Sequence, residues 1–294
     1  MNKRRTFLGK TSIQKQLETV STMLEKHKDL QSPLELKKRT LLVQLEIDSA
    51  PTKGLSIDLG DKGAINDLQQ KALDKKLPII YFLDPSKNDL DALMIAFKKL
   101  VQVFVKQNIS NEGLKKLLSH LETGKINLSK LIEASLRENI SIIEEAAKES
   151  NVKAELLLYL VSALIQPCLE EIARKIDSQF HDKWWQGSCP VCGRIPVVAR
   201  NRYRKRFLVC NYCGTEYLSD NFFCVHCGNK DPYTLKFIEV EAKPAFKIDF
   251  CTKCKHYIKV IEEAKLKEPI PKGLEDILTL NLDFLAKDVG LARN

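Results

Sequence analysis

Eight of the nine cysteines in this 294-residue chain fall into four C-x-x-C pairs: Cys189 and Cys192, Cys210 and Cys213, Cys224 and Cys227, Cys251 and Cys254. A C-x-x-C sets two thiolates on one tight turn, where both can hold the same ion while neighbouring backbone N–H groups donate to the sulfurs. Two such turns complete a tetrahedral all-sulfur site. Gly193, Gly214 and Gly228 follow the second cysteine of the first three pairs, and a glycine there leaves the turn with positive φ at no steric cost. Lys255 stands in that place in the fourth pair, where a left-handed conformation costs about 1–2 kcal/mol.

Four pairs in a row point to metal binding and away from the alternatives. Disulfides do not persist in the cytoplasm, and a dithiol redox centre uses a single C-x-x-C on a βαβ scaffold. Four pairs allow three ways of sharing two ions. Cross-brace modules interleave their sites but keep their central ligands almost adjacent, whereas residues 214–223 intervene here. Sequential pairing is the expectation: Cys189, Cys192, Cys210 and Cys213 at one site, Cys224, Cys227, Cys251 and Cys254 at the other. Tetrahedral thiolate sites accept iron or zinc, and spacing does not choose between them.

Other residues near the pairs have plainer readings. His226 and His256 are expected to point away from any ion, and Cys168 to be an ordinary buried thiol on the apolar face of a helix. Trp184 and Trp185 are expected to pack the seam between the helical region and the cysteine region. The basic run over residues 200–206 either grips phosphate or screens a dianionic metal centre.

Upstream, the patterning that must position these turns is helical. Residues 12–48 suit two amphipathic helices, and residues 50–63, with Pro51, Gly54, Gly60 and Gly63, read as a long loop. Ser86 to Asp89 resembles a capping box that opens an apolar-periodic run through Leu90, Leu93, Met94, Phe97, Leu100 and Val101. Further helices are expected from Asn111 to Gly124, from Leu128 to Glu149 and from Lys153 to Ile176, the last with a kink at Pro167. After Trp184 the segments shorten and become rich in β-branched and aromatic residues; helical patterning returns after Ala264, with a terminal helix over residues 274–286. No His, Asp or Ser constellation suggests catalysis.

Composition sets the remaining bounds. The chain is long enough for more than one domain. Its longest apolar run, residues 156–165, is too short to cross a bilayer. The string around Arg4 and Arg5 resembles an export signal, but Gly9, Lys10, Gln14, Lys15 and Gln16 interrupt the apolar stretch such a signal needs, so it reads as a basic arm on a cytoplasmic protein. The overlapping Gly9-Lys10-Thr11 lacks the first glycine of a phosphate loop, because Arg4 occupies that position. The formal net charge of +9 hints at an acidic partner. Eight thiolates around two divalent ions would lower it to about +5, which weakens the hint.

CPVCGRIP, LVCNYCGTEY, FFCVHCG and DFCTKCKHYIK, followed by LEDILTLNLDFLAKDVGLAR, together resemble the formate dehydrogenase accessory protein family, commonly called FdhE. The likeness is specific from Trp184 onwards and fainter upstream. It implies an α+β architecture: an all-α N-terminal domain over residues 1–183, tandem rubredoxin-like modules over 184–220 and 221–265, then a linker and C-terminal helix over 266–294. It implies that Tyr257, Lys259 and Asp249 match family positions, while Tyr217, Asn221 and Lys255 depart from the usual residues without touching a ligand. It implies a non-catalytic cytoplasmic factor that assembles formate dehydrogenase, binds its catalytic subunit and carries two ions, each held by four cysteines, iron in preference to zinc. The competing expectation, a zinc-ribbon protein that binds nucleic acid, rests on the net charge and the basic run, and predicts affinity that falls steeply with salt.

Overall fold

The computed structural model describes residues 12–48, 61–83, 90–105, 111–241 and 243–293. The basic arm at Arg4 and Arg5, residues 50–60 of the expected loop and the capping box at residues 86–89 lie outside the described residues.

The N-terminal half is helical. α1 (Ser12–Lys26) and α2 (Gln31–Asp48) close on one another through Ile13, Val20, Leu24, Leu34 and Leu41. Leu274, from near the other end of the chain, joins that cluster. α3 (Lys62–Lys75) begins inside what reads as loop, because the Asp61 carboxylate accepts from the Ala64 N–H and caps it, so Gly63 is helical. α4 (Leu90–Val105) buries Leu93, Phe97, Leu100 and Val101, one stripe of its surface, and α5 (Asn111–Glu122) follows.

The helix expected from Leu128 to Glu149 is two helices, α6 (Leu128–Leu136) and α7 (Ile140–Ser150). Glu138 takes a left-handed φ of 54° between them, which breaks the hydrogen-bond ladder and turns the chain. α8 (Ala154–Lys175) is the centre of the bundle and touches α2, α4, α6 and α7. Among the described residues it alone is long and apolar enough to cross a membrane, since the helix runs on through Pro167. Its Leu157, Leu160, Val161, Leu164 and Leu169 are buried against the other helices, as in a core helix.

Pro167 has no N–H to give the carbonyl four residues back, that of Ala163. The buried Gln44 of α2 supplies the missing donor: its Nε2 lies 2.7 Å from the Ala163 oxygen. Nearby, Thr40 and Tyr159 share a hydroxyl–hydroxyl bond of 2.9 Å. Side chains of α2 thus repair the helix that the proline interrupts.

After the short α9 (Ser178–Asp182) the chain forms one six-stranded sheet from β1 (Val198–Arg202), β2 (Lys205–Val209), β3 (Glu216–Ser219), β4 (Leu235–Glu239), β5 (Phe246–Cys251) and β6 (Tyr257–Glu262). The spatial order is β3-β2-β1-β6-β5-β4. Each triplet is an antiparallel meander, and the two triplets join through a parallel pairing of β1 with β6, Val198 to Asn201 against Lys259 to Glu262. The second meander is therefore the first one displaced sideways along the sheet. Alternation then sorts the residues by face. Ala199, Leu208, Tyr217, Ile258 and Val260 turn towards the helices and belong to the main core. Val198, Ile248, Tyr257 and Ile261 turn to the other face, under the C-terminal segment.

That segment is not one helix. α10 (Glu275–Leu278) and α11 (Leu280–Asp288) meet at Thr279, whose hydroxyl bonds back to the Glu275 carbonyl at 2.7 Å. Leu282 and Ala286 seat α11 on β5 and β6. Charge fixes it there: the fully buried Lys259 ammonium lies 2.5 Å from Asp276 and 2.8 Å from Asp283, and Arg293 pairs with both carboxylates. Burial alone would raise the Asp276 pKa, but Lys259 and Arg293 outweigh it and hold the carboxyl below its ordinary value of 3.8.

Two of these contacts can be tested by unfolding. Gln44→Leu leaves the Ala163 carbonyl buried without a donor, and denaturant titration should show a loss of about 1–3 kcal/mol. Asp276→Asn should cost about 2 kcal/mol at neutral pH. Because the folded-state pKa of Asp276 is depressed, its contribution is complete above the unfolded value of 3.8 and drains away as pH falls through the lower folded value. The gap between the two chains, measured by denaturation at several pH values, should be constant near neutrality and shrink below about pH 4.

Candidate metal centres

Each C-x-x-C closes the same way. The first cysteine's N–H donates to the carbonyl five residues on, and its own carbonyl accepts from the N–H four residues on. The pairs are Cys189 with Arg194 and Gly193, Cys210 with Thr215 and Gly214, Cys224 with Asn229 and Gly228, and Cys251 with His256 and Lys255, all at 2.8–3.0 Å. The residue after each second cysteine is left-handed: φ is 82° at Gly193, 73° at Gly214, 70° at Gly228 and 62° at Lys255. The turn thus fixes the backbone conformation even where a lysine has to adopt it.

The four turns come together in two groups. Cys189, Cys192, Cys210 and Cys213 form one tetrad, and Cys224, Cys227, Cys251 and Cys254 the other, with the sulfurs of each within 4.8 Å of one another. Cys189 and Cys213 sulfurs lie 3.5 Å apart and those of Cys192 and Cys210 3.4 Å; in the second tetrad the corresponding distances are 3.6 Å and 3.8 Å. A tetrahedral ion with metal–sulfur bonds of about 2.3 Å holds its sulfurs about 3.8 Å apart, whereas a disulfide needs about 2.05 Å. Donor type, number and spacing therefore fit a four-coordinate thiophilic cation, and each tetrad could hold a metal ion.

The thiols also show what an ion would relieve. Burial pushes Cys192 and Cys213 well above the ordinary thiol value, while sulfur neighbours stabilise the Cys210 thiolate and pull it well below. In the second tetrad burial pushes Cys224 up to about 12. Burial opposes ionisation at Cys251 as well, but N–H donors from Cys254, Lys253 and the Asn229 side chain bring it to about 7. The Asn229 amide lies 3.4 Å from the Cys251 sulfur.

Several residues around the tetrads were not singled out by motif. The backbone N–H groups of Ile79 and Ile80 donate to the carbonyls of Pro190 and Val191, the two residues inside the first C-x-x-C, at 2.9 and 3.0 Å. Arg194 reaches into the helices, with its guanidinium 3.0 Å from both the Ser135 and Ser162 hydroxyls and stacked on the Tyr212 ring at 4.0 Å. Tyr217 closes the first tetrad from the sheet; its hydroxyl donates to the Gly187 carbonyl at 2.9 Å, and burial drives its pKa well up. Gly187 in turn presses on the third turn, where an added Cβ would sit 2.1 Å from the Val225 carbonyl oxygen. The only sequence signal for Arg194 and Asn229 is their shared place directly after the turn glycine.

The remaining expectations separate. Trp184 is buried in the seam beside Phe180, with its indole N–H on the Ser188 carbonyl at 2.7 Å, whereas Trp185 is 52% exposed and is not part of that seam. Cys168 is half-buried and packs against the main core, apart from both tetrads. His226 and His256 stack on each other at 4.5 Å, and neither belongs to a tetrad. The basic run forms the β1–β2 hairpin, turned by Tyr203 and Arg204 with φ of 51° and 63°. Arg200 pairs with Glu275 and Glu263, Arg202 with Glu216, and Arg206 with Asp249. Three of its arginines thus face internal carboxylates.

No protein-family profile matches the chain. It is similar to the "Protein FdhE homolog" of Aquifex aeolicus, 31% identical over 162 residues that make up 53% of this chain and 56% of that protein. It is also similar to the "Protein FdhE" of Salmonella dublin, 26% identical over 174 residues, 57% of this chain and 55% of that one. The match spans little more than half the length of these relatives. The crystal structure of the FdhE protein from Pseudomonas aeruginosa superposes with a TM-score of 0.62 across 96% of this chain and 93% of that one, at 17% identity. The chain resembles FdhE proteins in sequence over about half its length and shares their fold. The α+β architecture implied by the family resemblance is the one found: a helical region, then a mixed sheet with two four-cysteine clusters, then closing helices. The likeness to the crystal structure concerns the course of the chain, and the chemistry is carried by the two tetrads.

Lys255 offers a test of the turn geometry. Lys255→Gly removes a left-handed β-carbon while keeping the backbone bond to Cys251, and should stabilise the metal-loaded protein by about 1 kcal/mol. Thermal unfolding of the two chains, each loaded with zinc, measures the difference.

Proposed function

We propose that this chain is a non-catalytic accessory factor for the assembly of formate dehydrogenase, that it binds the catalytic subunit of that enzyme, and that it works in the cytoplasm. Similarity to FdhE proteins in sequence and in fold supports this reading. The two cysteine tetrads, set along one sheet with the first packed against the helical bundle, support a protein whose metal-shaped surface serves another chain. We assign Cys189, Cys192, Cys210 and Cys213 as the ligands of one ion and Cys224, Cys227, Cys251 and Cys254 as those of a second, with iron preferred and zinc compatible with the same donors. Bound there, a divalent ion would join four thiolates into one centre of net charge about −2 and, if it is iron, would supply a one-electron couple. The surrounding residues hold the sulfurs in place through backbone N–H donors, exclude water with Tyr217 and Val191, and tie the first tetrad to the helices through Arg194.

The boundaries proposed for these parts are 1–183 for the helical domain, 184–220 and 221–265 for the two rubredoxin-like modules, and 266–294 for the linker and C-terminal helices. The hydrophobic core runs across the first boundary, so the parts are expected to unfold together. Internal pairing of Arg200, Arg202 and Arg206 leaves Arg204 and Lys205 as the exposed cations of the hairpin, which weakens the nucleic-acid alternative.

The reading is tested by co-purification. The chain should retain a formate dehydrogenase catalytic subunit, and Cys189→Ser with Cys192→Ser should abolish both that retention and the activity of the dehydrogenase in cells. Retention of the subunit with full enzyme activity in the double variant would refute it.

A further inference from the structure

The two tetrads share their turns but not their surroundings. In the first, Cys189, Cys192, Cys210 and Cys213 are all at most 2% exposed, and all four belong to the main core. Backbone bonds from Ile79 and Ile80 brace one turn, Arg194 anchors its exit, and the buried Tyr217 is held on the Gly187 carbonyl; a cavity reaches the Cys210–Cys213 turn, yet both of these cysteines stay almost wholly buried. In the second, Cys227 is exposed and Cys254 half-buried. Cys224, Cys251 and the stacked His226 and His256 line an open groove of about 520 Å³ on the sheet, on the face whose other half the helices cover. The sulfurs there are also more widely spaced, 3.6–3.8 Å against 3.4–3.5 Å.

An ion leaves a thiolate cage by ligand substitution, which requires an incoming donor to reach the cage before the outgoing sulfur lets go. Where every ligand is buried, that approach needs the core to open, and such openings are the rarest fluctuations a domain makes. Where one sulfur meets solvent, no opening is needed. We propose that the second tetrad is a metal-exchange site entered at Cys227, which hands its ion to, or takes it from, a soft donor such as a thiolate, while the first tetrad keeps its ion for the lifetime of the fold. Cys227 is the sulfur that yields: as the incoming thiolate donates its electron pair, the bond to Cys227 breaks, and the freed sulfur takes a proton from water. No electron is transferred. The inference rests on the metal-binding reading above, but not on any role towards formate dehydrogenase.

The test uses the full chain loaded with two zinc ions and challenged with the chromogenic chelator 4-(2-pyridylazo)resorcinol. One ion per chain should leave at least about tenfold faster than the other. Iodoacetamide pulses during the fast phase, read by peptide mass spectrometry, should label Cys224, Cys227, Cys251 and Cys254 and leave the first tetrad unlabelled. Cys227→Ser should lose the fast-leaving ion and keep the slow one. Two ions leaving together, label appearing first on Cys189 to Cys213, or a slow phase abolished by Cys227→Ser would each overturn the proposal. A chain that takes up no zinc would remove the metal-binding reading itself and this inference with it, whereas a chain that exchanges as described but ignores the dehydrogenase would leave the inference standing.

Discussion

Four sulfurs held 3.4–3.8 Å apart resist being thiolates together, and burial resists each of them singly. The opposing shifts within the first tetrad, with Cys210 driven down while Cys192 and Cys213 are driven up, express that conflict. A divalent ion resolves it by taking the place of the protons and bonding to every sulfur at once. The second meander leans on that resolution most, because its outer strand β4 buries no residue of its own. Three of the five residues of β4 are exposed and the other two half-buried. Small modules of this sort gain from their ions the stability that their cores do not supply.

The helical region and the first meander are not merely neighbours. The core that begins with Leu93 and Phe97 continues without a break through Trp184 and Val191 to Leu208 and Tyr217. Polar bonds cross the same seam, from Ile79 and Ile80 to the first turn and from Arg194 back to Ser135 and Ser162. On the opposite face the C-terminal helices are held by buried charge, with Lys259, Asp276, Asp283 and Arg293 in one network and Arg200, Glu263 and Glu275 in another. Buried ion pairs of this kind add little net stability but are costly to break, so they fix where a segment sits. Leu274 then ties that segment to α1 and α2, so the chain's two ends share a cluster.

How much of this was legible in the sequence follows from how local each signal is. The knuckles announce themselves because a C-x-x-C with a following glycine carries its chemistry within five residues, and the long helices because their apolar residues recur with the helical period. The break at Glu138 left no such trace: no proline or glycine marks it, yet an exposed glutamate takes the left-handed conformation. The start of α3 was hidden because Gly63 reads as a loop residue until the Asp61 cap is seen. Nothing in residues 198–201 or 259–262 declares that they will lie side by side, since parallel pairing across some sixty residues has no local signature. The Tyr203–Arg204 turn likewise lacks the glycine or asparagine that usually signals two left-handed residues.

The sideways repetition of the meanders has a consequence of its own. Two units related by rotation would bury equivalent edges and present equivalent ends, but units related by displacement make a ribbon with a direction. Its β3 end lies beside α9, whereas its β4 end has no neighbouring strand among the described residues and carries Lys236 outward. A cation on such a margin discourages strand-to-strand sticking between molecules. Building blocks of the same topology are thereby given opposite fates, one sealed into the body of the molecule and one left at its frontier.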